Sequence, residues 1–387
     1  ERVSKFRLKN FLSLLPLTLA AADLPTLAAK EPERDNLIET LQQKLDRGET
    51  TLTYNAGGHG WLESVLAALK VPPESQVLAF SKSSFQFDLI SPKTPRAIYF
   101  SDDVSVASVH GGRVLELIVN ERKGGDAFYT LDTGRTDKPH FRAEDAHCLS
   151  CHGMVGGRAV GWMVANITTS VNGQPQFPDP GRPFDFTDHT TPFERRWGGW
   201  YVTGATGKMH HRGNVASSLE SPYELSPTAG LNVTDLSRNY DLSQTLKGSS
   251  DIVALMVLEH QTGFINKVGA LNIAFSEDRL ENLVAYMIFA DEAILPDPIH
   301  GNGGFATAFA GQGPRDARGR SLRDLDLRTR LFRYPLSYMI TSTAFDSLRP
   351  QVKARLLVRL REELQKTPTG RDAIAIAAAV KPGLGWQ

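Results

Sequence analysis

Cysteine is nearly absent. The 387-residue sequence contains two, three positions apart, so a disulfide framework is excluded and the pair needs a local explanation. Charge of one sign is also missing. With 43 basic side chains against 43 acidic ones, nothing points to sequence-independent attraction to nucleic acid or to anionic lipid. No apolar run, Ile252 to Leu258 included, comes near the roughly 20 residues that cross a bilayer. There is no GxSxG element, no HExxH and no set of paired cysteine clusters, which leaves hydrolase and zinc-protease readings without residues. The glycine-rich segment GNGGFATAFAGQGP, 301–314, lacks the Lys-Ser/Thr of a phosphate loop and the strand that precedes a dinucleotide site, and reads as a flexible connector. No internal repeat or low-complexity tract occurs.

What is present is ordinary for a folded chain: 41% apolar and 22% charged residues, enough to bury a large core in two subdomains or in one domain with a helical annex. At the N-terminus, Arg2, Lys5, Arg7 and Lys9 precede the apolar run from Phe11 to Leu19 and the small residues Ala20, Ala21 and Ala22. That order reads as the remnant of an export signal over 1–22, with the mature chain starting near Asp23 and residing in the periplasm or outside the cell. An amphipathic helix is the competing reading. The N-x-S/T triplets at Asn166 and Asn232 are short enough to arise by chance and carry no weight.

Leu37, Leu41 and Leu45 recur at helical spacing before Gly48, and a short helix is expected from Trp61 to Lys70. Short β-like runs follow at 76–81, 96–100, 104–109, 113–119 and 126–131, punctuated by Pro92, Pro95, Gly111-Gly112 and Gly124-Gly125; they predict an antiparallel sheet with tight turns. Residues 172–193 lack a period and read as a long ordered loop of the kind that walls functional pockets. Helical patterns then cover Asp251 to His260, Arg279 to Ala290 and Pro350 to Lys366, the last with a stripe of Val352, Leu356, Leu360 and Leu364.

The chemistry lies in Ala146-His147-Cys148-Leu149-Ser150-Cys151-His152-Gly153. Cysteines at i and i+3 share one face of a helical turn, so both thiols reach one edge of a porphyrin, and the next residue, His152, brings an imidazole to the iron from the same side. One covalently bound haem c is therefore expected. A structural zinc site needs four ligands, and no other cysteine exists to complete one. A thioredoxin-like pair needs a βαβ setting that the neighbouring pattern does not supply.

The opposite axial position stays open between residues. His211 and Met209, with His210 beside them, follow an aromatic strand in RWGGWYVTGATGKMHHRGN, 196–214, and His260 ends an apolar helix. The order of candidates is His211, Met209, His260, each with a packing role as the alternative. Arg195, Arg196 and Arg212 are candidate partners for the propionates, or else a solvated basic cluster. No catalytic residue is assigned.

With the blocks 71–100, AFYTLD (127–132), HCLSCHG (147–153), RWGGWYVTG (196–204), HRGN (211–214), VALMVLEHQ (253–261) and GRSLRDLDLRTRLFRYPLSYMI (319–340) in view, the chain resembles a family of exported cytochrome c domain-containing proteins over most of its length from about Leu41. The resemblance implies a c-type haem, and it carries over His211 as the histidine of an H-x-G-N element and His260 as that of an E-H-Q element. The sequence departs from its relatives at Ile265 and Leu336, where they tend to have His and Cys. A second metal or redox role at those positions is not expected.

The expectation is an α+β protein: a signal remnant over 1–22, an α+β haem-binding part over 23–245 and a mainly helical part over 246–387 packed on it. Its expected role is electron transfer through a single haem, with a redox partner protein in the periplasm or envelope, no nucleic acid and no membrane span after signal removal. Two alternatives remain, a haem-dependent oxidoreductase of the oxidase or peroxidase type and a haem-bearing subunit of an envelope complex. The sequence leaves the oligomeric state open.

Overall fold

The computed structural model describes residues 35–386 apart from 124, 156–157, 160, 177–184 and 218–228. The expected export segment and the middle of the expected loop at 172–193 lie outside the described residues. Helix α1 (Leu37–Asp46) starts where the Asn36 side chain accepts the Ile38 and Glu39 N–H groups, and it gives way at Gly48, whose φ of +69° suits glycine. After α2 (Leu62–Ala68) come β1 (Val77–Ala79), β2 (Arg96–Phe100), β3 (Val104–Val109), β4 (Val114–Asn120) and β5 (Asp126–Asp132). All pair antiparallel, as the short runs and the turn residues between them predict.

A short strand that the pattern does not announce, β6 (Phe141–Ala143), adds to β5 and runs directly into α3 (Asp145–His152). Two small pairs follow, β7 (Met154–Val155) with β8 (Arg158–Ala159) and β9 (Ala165–Asn166) with β10 (Asp185–Phe186). Then β11 (Trp200–Tyr201) returns to pair with β1, giving a seven-stranded sheet in the order β11-β1-β2-β3-β4-β5-β6.

Both faces of this sheet are covered. Leu78, Tyr99, Val106, Leu117 and Tyr129 point toward α1 and α2, whereas Val77, Ala79, Phe100 and Trp200 share a core with the long helix α4 (Ile252–Ile273). The first turns of α4 are apolar on every side, as a helix enclosed by neighbours must be. It extends well beyond the expected end at His260. Each fully buried Val, Leu or Ile in it stabilises the fold by about 1.5–3 kcal/mol.

Helix α4 also fixes the scale of the sheet face. Its Ile252 N–H binds Thr203 O, just past β11, and its Asn266 side chain binds Gly161 and Trp162, the latter tied to Asp126 at the start of β5. Fourteen residues of helix span about 21 Å, which matches the roughly 24 Å of five inter-strand spacings between β11 and β5.

The rest is helical: α5 (Glu277–Met287), α6 (Phe305–Gln312), α7 (Thr343–Asp346), α8 (Pro350–Leu364) and α9 (Pro368–Val380). The stripe of Val352, Leu356, Leu360 and Leu364 is buried as its spacing predicts. The glycine-rich segment 301–314 is not a flexible connector. Its middle forms α6, because Phe305 and Phe309 are four apart and both buried, while Gly304 (φ +81°) and Gly313 bound the helix. The class is α+β, with the sheet in the N-terminal part and helices in the C-terminal part, and the described residues fall within one compact unit, Arg34–Gln387. No helix of the described residues is long and apolar enough to cross a membrane.

Candidate functional site

The CxxCH residues occupy the short helix α3. Eight residues are too few to hold a helix by propensity alone, and its first turn is tethered to the sheet. Glu144 N–H binds Phe128 O at 2.9 Å, and the Thr130 hydroxyl donates to Glu144 Oε1 at 3.3 Å. The other Glu144 oxygen meets His147 Nδ1 at 3.1 Å. At the far end Gly153 donates to Leu149 O, and a Cβ at Gly153 would sit only 2.6 Å from that oxygen, so the glycine of HCLSCHG is a packing requirement. Cys148 is half-buried and Cys151 exposed, and no disulfide joins them. They lie within a helix beside an antiparallel sheet, which is not the βαβ setting of a thioredoxin-like pair.

His152 is half-buried, with its ring 5.1 Å from that of Phe128. Its Nδ1 lies 2.6 Å from Gly161 O. A carbonyl only accepts, so Nδ1 carries the proton and the lone pair is on Nε2. Burial lowers the His152 pKa, the Gly161 bond opposes that shift, and Arg96 and Glu116 act on it with opposite signs. The outcome is a neutral imidazole with Nε2 unprotonated, the form a metal needs, oriented by a backbone carbonyl on its other nitrogen.

The surroundings are apolar and uncovered. Leu149 in α3 is 49% exposed, and Phe85 and Phe87, in the loop after β1, are 51% and 58% exposed; the Phe85 ring lies 6.0 Å from that of His147. On the same sheet face Arg96 and Glu116 form an ion pair at 2.6 Å, and Gln86 Nε2 donates to the second Glu116 oxygen. Exposed aromatics beside a charged pair are what a large, flat, partly apolar group would cover.

The other sequence candidates are gathered elsewhere. His211 belongs to the β11 edge, where Asn214 N–H binds Trp200 O and Asn214 Oδ1 accepts the Val202 N–H. Its Nδ1 accepts from the Gly213 N–H at 3.1 Å, so in the neutral ring the proton is on Nε2, which is buried without a hydrogen-bond partner. Burial, helped by His210, lowers its pKa to about 4. Met209 is fully buried in the core. His260 has both nitrogens engaged, Nδ1 with His189 Nδ1 at 2.8 Å and Nε2 with Ser337 Oγ at 2.7 Å.

Each of the three arginines has a partner within the chain. Arg196 is buried against Glu259 at 2.9 Å and donates to Thr191 O and His189 O; Arg195 pairs with Asp185, and Arg212 Nε donates to Glu194 O. Burial raises the Glu259 carboxyl to about 7 against the pull of Arg196.

Three contributors escaped the sequence. Gly161 meets His152 through its backbone carbonyl, and Asn266 binds the Gly161–Trp162 backbone, contacts that no motif encodes. His189 completes a buried cluster with His260, Ser337 and Tyr286, whose ring stacks on His260 at 5.3 Å. An asparagine and a histidine inside the mostly apolar α4 were the available signals for such networks.

Among the described residues, no group of three or more His, Cys, Asp or Glu side chains is placed to hold a metal ion by itself. A haem brings its own four nitrogens and asks the chain for two thiols and one imidazole. Cys148, Cys151 and His152 Nε2 fit that demand, with the lone pair on the nitrogen that needs it. No family model, curated protein or solved structure matches this chain.

Proposed function

We propose that this chain is an exported mono-haem c-type redox protein that uses Cys148 and Cys151 for thioether attachment and His152 Nε2 as the axial iron ligand. The observation that carries the proposal is the His152–Gly161 bond. It assigns the proton to Nδ1 and frees Nε2 on the imidazole that directly follows the two thiols. The resemblance to exported cytochrome c domain-containing proteins supports the same reading. A bound haem supplies one-electron chemistry at that position. The chain's own part is to anchor, through α3 on β5, to hold the imidazole neutral, and to present Phe85, Phe87 and Leu149 to the apolar macrocycle. A redox partner in the periplasm or envelope would exchange the electron.

The test is expression in a host competent for cytochrome c maturation, read by intact mass and visible spectrum. One haem added to the apoprotein mass with a Soret band is expected, and Cys148→Ala with Cys151→Ala should remove both. The bare apoprotein mass without a Soret band in the wild type ends the proposal.

One observation favours a second reading, a haem-dependent oxidoreductase with an open or displaceable distal side. Met209, His211 and His260 are all buried, and His260 has both ring nitrogens hydrogen-bonded within the chain. Cyanide titration separates the two readings: rapid binding to a high-spin ferric form supports the oxidoreductase, and a low-spin form that resists cyanide supports electron transfer.

A further inference from the structure

Asn266 interrupts α4 with an amide that makes three hydrogen bonds to one short stretch of backbone. Its Oδ1 accepts from Gly161 N–H at 3.1 Å and from Trp162 N–H at 3.2 Å, and its Nδ2 donates to Trp162 O at 2.7 Å. Trp162 is buried, and its Nε1 donates to Asp126 Oδ1 at 2.8 Å. From the remaining side, Asp126 closes on Gly161: a Cβ on Gly161 would overlap the Asp126 carboxylate.

The peptide unit joining Gly161 to Trp162 is thus gripped from two sides, and it has two ends. The Trp162 N–H end donates to Asn266, and the Gly161 C=O end accepts from His152 Nδ1. A trans peptide directs these two groups in opposite directions, so the three groups form a line from Asn266 through the peptide to the imidazole. A hydrogen bond at one end of a peptide strengthens its partner at the other.

We infer that Asn266 is a positioning residue for His152: it aims and polarises the Gly161 carbonyl, which fixes the ring orientation and keeps the proton on Nδ1. The inference rests on the haem reading for its redox consequence, since a stronger Nδ1–H···O bond makes Nε2 a better donor to ferric iron. The tautomer itself is read in the haem-free protein, because iron on Nε2 leaves the proton on Nδ1 in any case.

The experiment compares wild type with Asn266→Ala, using Asn272→Ala as a control. Asn272 is on the same helix and binds Ser347 instead. Intact mass first reports haem attachment, which tests the haem reading alone. Ring ¹⁵N NMR of His152 then reports the tautomer, and hydrogen exchange reports Nδ1–H protection. Asn266→Ala is expected to speed Nδ1–H exchange by at least tenfold. In the haem-loaded protein it should also favour the ferrous form about tenfold, a rise of about 59 mV for one electron. Asn272→Ala should change neither.

A wild-type tautomer, exchange rate and potential in folded Asn266→Ala overturn the inference. Should that variant fail to fold, wild type carries the test. Opening the clamp releases the Gly161 and Trp162 amides and the His152 Nδ1–H together, so their protection factors, each rate taken against that group's intrinsic exchange rate, must agree within tenfold. A wider spread overturns it. If no haem is attached, the exchange and tautomer results still decide the role of Asn266.

Discussion

Lowering the pH should loosen this fold through His211, and the size of the effect follows from its site. The imidazole is 5% exposed, its Nδ1 accepts from Gly213, and burial holds its pKa near 4 against an ordinary 6.5. Because the folded value is the lower one, the unfolded chain binds the proton first. Stability is then complete above about pH 6.5 and falls as pH drops toward 4. Between pH 7 and pH 5 this one group should cost about 2 kcal/mol, rising to about 3 kcal/mol below pH 4.

His189 and His260 are also shifted down by burial, so wild type should lose more than the His211 share. Urea unfolding of wild type and His211→Gln at pH 7 and pH 5 isolates that share. The variant is expected to be less stable at pH 7 yet less sensitive to acid by about 2 kcal/mol. An identical loss in both proteins would refute the reasoning, because it would mean that His211 takes up its proton in the folded state as easily as in the unfolded one.

Two further outcomes follow from buried contacts. Arg196→Met removes the partner of a fully buried carboxylate as well as the bonds to Thr191 O and His189 O, and should destabilise by about 3–5 kcal/mol; adding Glu259→Leu should recover a large part, as measured by denaturant unfolding. Gly161→Ala should destabilise by about 1–3 kcal/mol, because its Cβ overlaps Asp126, and should expose the His152 Nδ1–H to exchange, as read by NMR.

The strands were legible because short β-rich runs between turn residues are a local signal: β2 and β3 begin and end where their residues predict. The helical stripe of α8 was legible for the same reason. Elements that depend on partners were not. Strand β6 has three residues and exists because β5 offers it an edge, and α6 was hidden by flanking glycines that cap it rather than loosen it. α4 continues past His260 because its later turns, though more polar, lie against α5 and the loop around Trp162.

The candidate site divides along the same line. Two thiols and an imidazole within five residues are brought together by one turn of helix, so chain spacing alone assembles them. The candidates for an opposite ligand, Met209, His211 and His260, rest on chemical type, and type does not encode position. Their contacts are with near neighbours: His260 with His189 and Ser337, His211 with Gly213 and Trp197, Met209 with the core. What does act on His152 is a backbone carbonyl set by an asparagine 114 positions after it in the sequence. A carbonyl is common to every residue, so only the fold can single this one out.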